Sequence, residues 1–151
     1  MGKARSDASL VRRLRLAGLR PTRQRVELAR ILFTQPHRHV TADELYAAAR
    51  ERAIDVSLAT IYNTLNQFTG AGLLRELTLS PGCSYFDTNT GSHHHFFYED
   101  EGRLVDIPEA EVVLSGLPTA PAGSVVRRVD VIIRVGGSGS ESQPVETPAK
   151  S

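Results

Sequence analysis

Apolar residues recur every three or four positions through the first half of the chain, which predicts four helices. Thr22 and Ser57 stand where side-chain oxygens would cap the second and fourth of them. Thr41 and Glu44 have the spacing of a capping box at the start of the third. The predicted helices cover residues 8–19, 22–34, 41–52 and 57–70.

The fourth helix has two distinct stripes of side chains. Its apolar stripe, which should face a core, consists of Leu58, Ile61, Leu65 and Phe68. Its second stripe holds only short uncharged polar groups, at Thr60, Asn63, Thr64 and Gln67, with Tyr62 beside it. Two interpretations fit: an ordinary amphipathic helix with a polar back, or a helix that reads base edges in the DNA major groove.

Alternating apolar residues follow the four helices and predict a hairpin. Its strands are Leu73–Leu79 and Ser84–Thr88, and Pro81-Gly82 forms the turn. Helices followed by such a hairpin make a winged helix-turn-helix, which we expect at residues 1–88. Within it, Arg20, Arg23 and Arg25 cluster where a second helix begins, an arrangement better explained by an external anion such as DNA phosphate.

A second, smaller domain is expected after a polar hinge at residues 89–92. Strands are predicted at residues 93–98, 103–107 and 124–135, with a short helix at 108–115. A domain of residues 93–136 is too small to be stable alone, so we expect a homodimer. Residues 137–151 are of low complexity and should be disordered. The predicted class is α+β, an N-terminal winged helix-turn-helix with a small C-terminal α/β dimerisation domain.

Charge divides the chain in the same way. Residues 1–83 hold 13 Lys and Arg against 7 Asp and Glu, whereas residues 84–151 hold 5 against 10. A basic half suits phosphate, and an acidic half suits cations or an interface. The single cysteine, Cys83, excludes a CxxC zinc site. No apolar run is long enough for a membrane span, and MGKARSDASL lacks the apolar segment of a signal peptide, so we expect a cytoplasmic protein.

Three consecutive histidines supply the chemistry of the second domain. On a strand, His93 and His95 point to one side and His94 to the other. Imidazole nitrogen ligates Zn, Fe, Mn and Ni, and the same nitrogen can be an axial ligand of haem. His39, Asp87 and Asp106 are expected near the junction of the domains and complete a candidate metal site. The alternative is a polar hinge with no ligand.

From about Leu10 to Gly136 the chain resembles the ferric uptake regulator (Fur) superfamily. The matching stretches are AGLRPTRQR, HVTADELY, VSLATIYNTLNQFTGAGLL and the HHH strand. Within the superfamily it looks closest to the iron response regulators, through SLATIYNTLNQF, YFDTN, HHHFF, VDIP and VDVIIRV. The resemblance implies a homodimer that binds operator DNA through a winged helix.

The resemblance also implies site residues. It puts Tyr62 on a DNA base and Arg20 near the minor groove. Together with the residues above, the expected DNA contacts are Arg20, Arg23, Arg25, Ser57, Thr60, Tyr62, Asn63 and Gln67. The family's inter-domain metal site falls on His39, Asp87, His93, His95 and Asp106. A second family site falls on His94, Asp130 and Glu111, and iron response regulators bind haem through the histidines that are here His93, His94 and His95.

The chain departs from the family pattern at several positions. Asn63 stands where the family usually has an arginine after the helix tyrosine, which is here Tyr62, so the preferred operator sequence should differ. Asp106 stands where Glu is common and Asp130 where His is common. Cys83 is followed by Ser84, so the Cys-Pro haem motif of some iron response regulators is missing.

Three classes of function follow. The first is an iron- or haem-responsive transcription regulator that binds DNA when haem is scarce, with a Mn(II)-, Fe(II)- or Zn(II)-dependent repressor as the alternative within that class. The second is a DNA-binding dimer whose histidines are only structural. The third is a metal-dependent hydrolase, which the lack of an HExxH motif and of a recognisable nucleophile disfavours. We therefore expect a regulator, not an enzyme.

Overall fold

The computed structural model describes residues 2–35 and 37–137, with side chains from Asp7 onward in the first helix. These residues divide into two compact units, the first ending at Gly91 and the second beginning at Ser92. Helices occupy the first unit and both units contain a sheet, so the predicted α+β class is confirmed. Of the predicted disordered tail, residues 138–151 lie outside the described residues.

The first unit contains four helices and a three-stranded antiparallel sheet. The helices are α1 (Gly2–Leu16), α2 (Arg23–Phe33), α3 (Ala42–Glu51) and α4 (Leu58–Gly70). The strands are β1 (His39–Val40), β2 (Arg75–Ser80) and β3 (Cys83–Asp87), in the order β1-β3-β2. All four predicted helices and the hairpin are confirmed. β1 has only two residues, too few for alternation to indicate it.

The predicted caps set the helix starts. Thr41 Oγ1 accepts the Glu44 N–H at 3.2 Å, and Glu44 Oε2 accepts the Thr41 N–H at 3.0 Å, so the capping box is complete. Ser57 Oγ accepts the Thr60 N–H at 3.1 Å, and Thr22 caps α2. Each cap satisfies a backbone donor that would otherwise lack a partner inside its helix.

The helices bury one continuous apolar core. Ile61, Leu65 and Phe68 of α4 are fully buried in it, as their helical spacing predicts. Leu58 is 37% exposed, so its predicted place in the core is wrong. It is the first residue of α4, one turn before Ile61. The core consists of Leu10, Leu14, Leu28, Ala29, Ile31, Leu32, Val40, Ala42, Leu45, Ala49, Val56, Ile61, Leu65, Phe68, Leu73, Leu74 and Phe86.

The second unit is a three-stranded sheet in the order β5-β4-β6. Its strands are β4 (His93–Tyr98), β5 (Arg103–Pro108) and β6 (Ile132–Val135). β4 pairs with β5 in antiparallel and with β6 in parallel orientation. The predicted first two strands are confirmed, and the prediction for the third is correct only for its last four residues.

Two predictions for the second unit are wrong. The helix expected at residues 108–115 is only a 3₁₀ turn, Glu109–Glu111, because Val112 is extended and Gly116 has a φ of +70°. So short a segment forms too few hydrogen bonds to offset helix nucleation. The strand expected from Ser124 is absent before Ile132, since a strand forms only where its backbone groups find a partner. The described part of this unit is therefore a sheet without an α-helix.

Within residues 2–35 and 37–137, no helix combines the length and the apolar character that crossing a bilayer requires.

Candidate metal centre and nucleic-acid interface

The sheet of the first unit holds one histidine and one carboxylate side by side. His39 on β1 and Asp87 on β3 are opposite each other in the antiparallel register, and His39 Nε2 lies 3.1 Å from Asp87 Oδ2. Asp87 is fully buried, and its Oδ1 accepts the N–H of Asn89 at 2.8 Å. The carboxylate is thus fixed in orientation with one oxygen directed to imidazole, which suits a metal ligand.

The connector that follows Asp87 is also tied to the first unit. Arg75 of β2 is opposite Asp87 in the register, and its Nη1 donates to the carbonyl of Gly91 at 3.4 Å. Asn89 Oδ1 accepts the Gly91 N–H at 3.1 Å. The residues that lead from Asp87 toward the histidine run are therefore ordered by hydrogen bonds.

The second unit gathers two histidines and one carboxylate. His93 and His95 lie on the same side of β4, with ring centroids 4.5 Å apart. Asp106 of β5 is opposite His95 in the register, and its Oδ1 lies 3.4 Å from Nε2 of both histidines. His93 and His95 are buried. Two imidazoles and a carboxylate converging on one point form a donor set that fits a divalent metal.

His94 has a different environment from its neighbours. It is buried, and its Nδ1 accepts the backbone N–H of Val131 at 3.1 Å. A neutral imidazole has one acceptor and one donor nitrogen, so Nε2 then carries the proton and offers no lone pair. A metal-bound histidine normally donates through its other nitrogen, which His94 does not do here. The hydrogen bond therefore argues against His94 as a metal or haem ligand.

The other two residues of the predicted second metal site do not join His94. Asp130 forms an ion pair with Arg128, with Oδ1 3.1 Å from Nε, and Glu111 is exposed at the end of the 3₁₀ turn. Over residues 2–35 and 37–137, no group of three metal-competent side chains includes His94, Asp130 or Glu111. His94 and Asp130 thus have structural partners of their own, and Glu111 lies exposed.

The exposed face of α4 differs from the predicted stripe at two positions, Thr64 and Asn66. Thr64 is buried, because the spacing from Ile61 through Leu65 to Phe68 places it on the same side. Asn66, which the stripe omits, is exposed. The exposed residues on the opposite side are Ala59, Tyr62, Asn63, Asn66 and Gln67. None is charged, and three carry carboxamides that can both donate and accept.

Two predicted DNA contacts at the start of α4 have local partners. Ser57 caps the helix, and its Oγ lies 2.9 Å from Thr60 Oγ1. Both hydroxyls therefore serve the helix end, and a helix N-terminus is itself a site that favours phosphate. Ser57 is exposed and Thr60 is partly exposed.

The three predicted arginines have three different environments. Arg20 is exposed. Arg23 is exposed and forms an i,i+4 ion pair with Glu27, with 3.4 Å between Nε and Oε1. Arg25 is half-buried; its Nη1 donates to the carbonyl of Arg20 at 2.9 Å and its Nη2 donates to Gln67 Oε1 at 3.0 Å. Arg25 thus contacts the exposed face of α4 directly.

Known proteins resemble the chain over most of its length. The model of the ferric uptake regulator family matches residues 16–115. The peroxide-responsive repressor PerR of Staphylococcus epidermidis is 44% identical over 93 residues, which are 62% of this chain and 61% of that protein. PerR of Staphylococcus aureus is equally similar, at 44% over 93 residues. The match therefore spans about three fifths of the length of these relatives.

Solved structures share the fold. The ferric uptake regulator of Pseudomonas aeruginosa, solved with manganese, superposes with a TM-score of 0.63 at 29% identity, over 83% of this chain and 96% of that one. The ferric uptake regulator of Vibrio cholerae gives 0.66 at 23% identity, over 84% and 98%.

These findings test the resemblance drawn from the sequence. The superfamily is confirmed. The finer likeness to iron response regulators is not supported by the curated relatives named above, which are peroxide-responsive repressors. With its family model matched from residue 16 to residue 115, the chain belongs to the ferric uptake regulator family.

Proposed function

We propose that the protein is a metal-dependent, DNA-binding transcriptional repressor that acts in the cytoplasm as a homodimer. The proposed metal ligands are His39, Asp87, His93, His95 and Asp106. The observation that carries the proposal is the pair of half-sites described above, His39 with Asp87 on β1 and β3, and His93 and His95 with Asp106 on β4 and β5.

The chain brings the two half-sites close along the sequence. Asp87 ends β3 and His93 begins β4. Five residues separate them, so their Cα atoms can be at most roughly 20 Å apart even in a fully extended connector. The connector is shortened further by two hydrogen bonds, which the Asn89 N–H donates to the Asp87 carboxylate and the Arg75 guanidinium donates to the Gly91 carbonyl. We infer that both half-sites ligate the same cation.

The donor set restricts the metal. Three imidazole nitrogens and two carboxylate oxygens suit Mn(II), Fe(II) or Zn(II), whereas Ca(II) and Mg(II) prefer oxygen donors alone. Asp87 and His95 are fully buried, and Asp87 lies opposite the buried Arg75 in the strand register. In this proposal a divalent cation adds positive charge beside Asp87 and links the two units.

The ligands connect directly to the proposed DNA-binding elements. His39 is two residues before Thr41, whose capping box starts α3, and α3 packs on α4. Fixing His39 therefore restrains β1 and the start of α3, which supports α4. In this proposal α4 is the reading helix of a winged helix, and the β2–β3 hairpin is the wing.

The proposed DNA contacts rest on chemistry at the exposed face. Tyr62, Asn63, Asn66 and Gln67 present uncharged groups suited to base edges. Arg20 and Arg23 supply exposed positive charge for phosphate or the minor groove. Family membership also excludes the hydrolase interpretation, since these proteins are regulators of transcription.

Exposed apolar side chains support the proposed homodimer. In the second unit, Val113 is 89% exposed and Val125 is 78% exposed. Leu117 and Val126 are also more than half exposed. So many exposed apolar side chains in a small unit favour an interface, and a two-fold dimer would present two reading helices to a pseudo-palindromic operator.

Haem regulation is the weaker candidate. The Nδ1 atom of His94 already accepts the N–H of Val131. The Nε2 atoms of His93 and His95 are directed to Asp106 and not to a haem iron. A peroxide response is a second candidate, favoured by the name of the staphylococcal relatives.

The test measures DNA binding by the full chain, which is first freed of metal and then loaded with one ligand at a time. Fluorescence anisotropy with an operator selected from a randomised pool would compare Mn(II), anaerobic Fe(II), Zn(II), haem and no addition. We expect tight binding with at least one divalent ion and weak binding without metal. Unchanged affinity in every arm contradicts metal control, and release by haem alone restores the haem hypothesis. Peroxide that releases DNA from the Fe(II) form but not from the Mn(II) form supports the peroxide response.

A further inference from the structure

One guanidinium bridges the start of α2 and the exposed face of α4. Arg25 Nη1 donates to the carbonyl of Arg20 at 2.9 Å, and Nη2 donates to Gln67 Oε1 at 3.0 Å. Arg25 and Gln67 are 42 residues apart in the sequence, so the contact joins two separate helices. Arg25 is half-buried, whereas Arg23 at the same helix end is exposed.

The chemistry of this contact determines which end of the Gln67 amide faces Arg25. A guanidinium has five N–H donors and no acceptor, so the atom it contacts must be the amide oxygen. The amino group of Gln67 therefore takes no part in this contact and keeps two donors, whereas the oxygen keeps one of its two lone pairs. Gln67 is exposed on the same face as Tyr62, Asn63 and Asn66.

We propose that Arg25 is a positioning residue that orients the Gln67 amide and biases it toward reading hydrogen-bond acceptors on a base. The proposal rests on the proposed function of α4 as the reading helix. A free glutamine pairs with adenine, accepting from N6 and donating to N7. A glutamine whose oxygen already accepts from Arg25 has one lone pair left for a base but keeps both N–H donors, so it favours O6 and N7 of guanine or O4 of thymine over the bidentate pairing with adenine. It disfavours cytosine, which presents only a donor in the major groove.

A positioning role for Arg25 affects base preference, whereas a phosphate contact affects overall affinity. A phosphate contact carries no sequence information, and its loss weakens binding to all sequences alike. Loss of Arg25 as a positioning residue instead releases the Gln67 amide and changes the preferred base at one position. The two roles are therefore distinguished by the base profile, not by the affinity alone.

The experiment selects DNA from a pool of duplexes with a randomised core, using the full-length chain loaded with Mn(II). Gln67→Ala identifies the operator position that Gln67 reads, as the position where preference is lost. At that position the wild type should prefer guanine or thymine over adenine by about tenfold. Arg25→Ala should move the preference to adenine. Arg25→Lys, which keeps the charge but lacks the planar pair of donors, should move it in the same way with nearly wild-type overall affinity.

Two further variants control the result. Arg23→Ala removes a neighbouring charge and should lower affinity for all sequences without changing the profile. In the Gln67→Ala background, Arg25→Ala should no longer change the profile, because the two residues act as a unit. Thermal unfolding of each variant checks that the fold is retained.

The outcomes separate this proposal from the proposed function. A profile that Arg25→Ala and Arg25→Lys leave unchanged, while Tyr62→Ala alters it, overturns the role of Arg25 and leaves α4 as the reader. A profile that no substitution on α4 alters overturns both. Full restoration by Arg25→Lys of the wild-type profile also contradicts positioning, since charge alone would then suffice.

Discussion

His39 and Asp87 are opposite each other in the antiparallel pairing of β1 with β3, with His39 Nε2 3.1 Å from Asp87 Oδ2. β1 is two residues long and ends immediately before Thr41, the N-cap of α3. One short pairing therefore places a histidine against a buried carboxylate and fixes where a helix of the proposed DNA-binding unit begins. This is the physical link through which a ligand at the sheet would affect the helices.

The exposed polar residues of α4 should determine base preference. Alanine at Tyr62, Asn63 or Asn66 should each cost about 1–3 kcal/mol of discrimination between the operator and a sequence changed at the contacted base. Thr64→Val is the matched control, because Thr64 is buried in the same helix and its replacement keeps the shape. Competition binding with single-base operator variants measures both. Discrimination that survives all three alanine variants would show that another element reads the bases.

Ser57 should stabilise the fold as the N-cap of α4, in addition to any contact with DNA. Ser57→Ala removes the acceptor of the Thr60 N–H and should lower the free energy of unfolding by about 1 kcal/mol. Ser57→Asp keeps a capping oxygen, so it should retain stability but lower DNA affinity through repulsion of phosphate. Urea unfolding and anisotropy separate the two effects. An aspartate variant that binds DNA as well as the wild type would remove Ser57 from the interface.

His94 should matter for stability and not for metal affinity. Its Nδ1 accepts the Val131 N–H, so His94→Ala leaves that donor without a partner and should cost about 1–3 kcal/mol of unfolding free energy. His94→Asn, whose side-chain oxygen can accept the same bond, should recover most of it. Both variants should bind Mn(II) as tightly as the wild type, as isothermal titration can measure. A large loss of metal affinity in His94→Asn would assign His94 to the metal site after all.

Arg13 should contribute to packing. Its guanidinium lies 4.0 Å from the centroid of the Phe33 ring, and burial lowers the pKa of Arg13. Arg13→Ala should reduce the free energy of unfolding by about 0.5–1 kcal/mol. Arg12→Ala, at the neighbouring position of α1, is the control and should change the free energy of unfolding by less than about 0.5 kcal/mol. Equal effects of the two substitutions in chemical denaturation would mean that the ring contact is not stabilising.

The sequence predicts the helix caps well, and it predicts poorly the strands that depend on a partner distant in the chain. Thr41 with Glu44, and Ser57 before α4, act through neighbours three residues away, so their caps can be read directly from spacing. The prediction for Thr64 is wrong because its polar side chain assigns it to the polar stripe, although its spacing from Ile61 and Phe68 places it on the buried side. β1 and the N-terminal part of the strand expected at residues 124–135 depend on whether another strand is present, which periodicity does not encode.

The candidate metal ligands show the same division. Alternation on β4 correctly separates His94 from His93 and His95. The hydrogen bond that gives His94 its role comes from Val131, 37 residues away, and the sequence contains no sign of it. Likewise, the contact from Arg25 to Gln67 spans 42 residues and distinguishes Arg25 from Arg23 although both are arginines at one helix end.

The most direct test of the central claim is a comparison of the two half-sites in one assay of metal and DNA binding. Asp87→Asn impairs the half-site of the first unit and Asp106→Asn that of the second, while His37→Asn is the control, an exposed histidine two residues before His39. For each variant and the double variant, Mn(II) affinity and metal-dependent DNA affinity are measured by titration. If both halves hold one cation, either substitution alone should remove most of the metal affinity and the metal-dependent DNA binding, with little further loss in the double variant. Independent, additive losses, or DNA affinity that persists after metal binding is gone, would contradict the account.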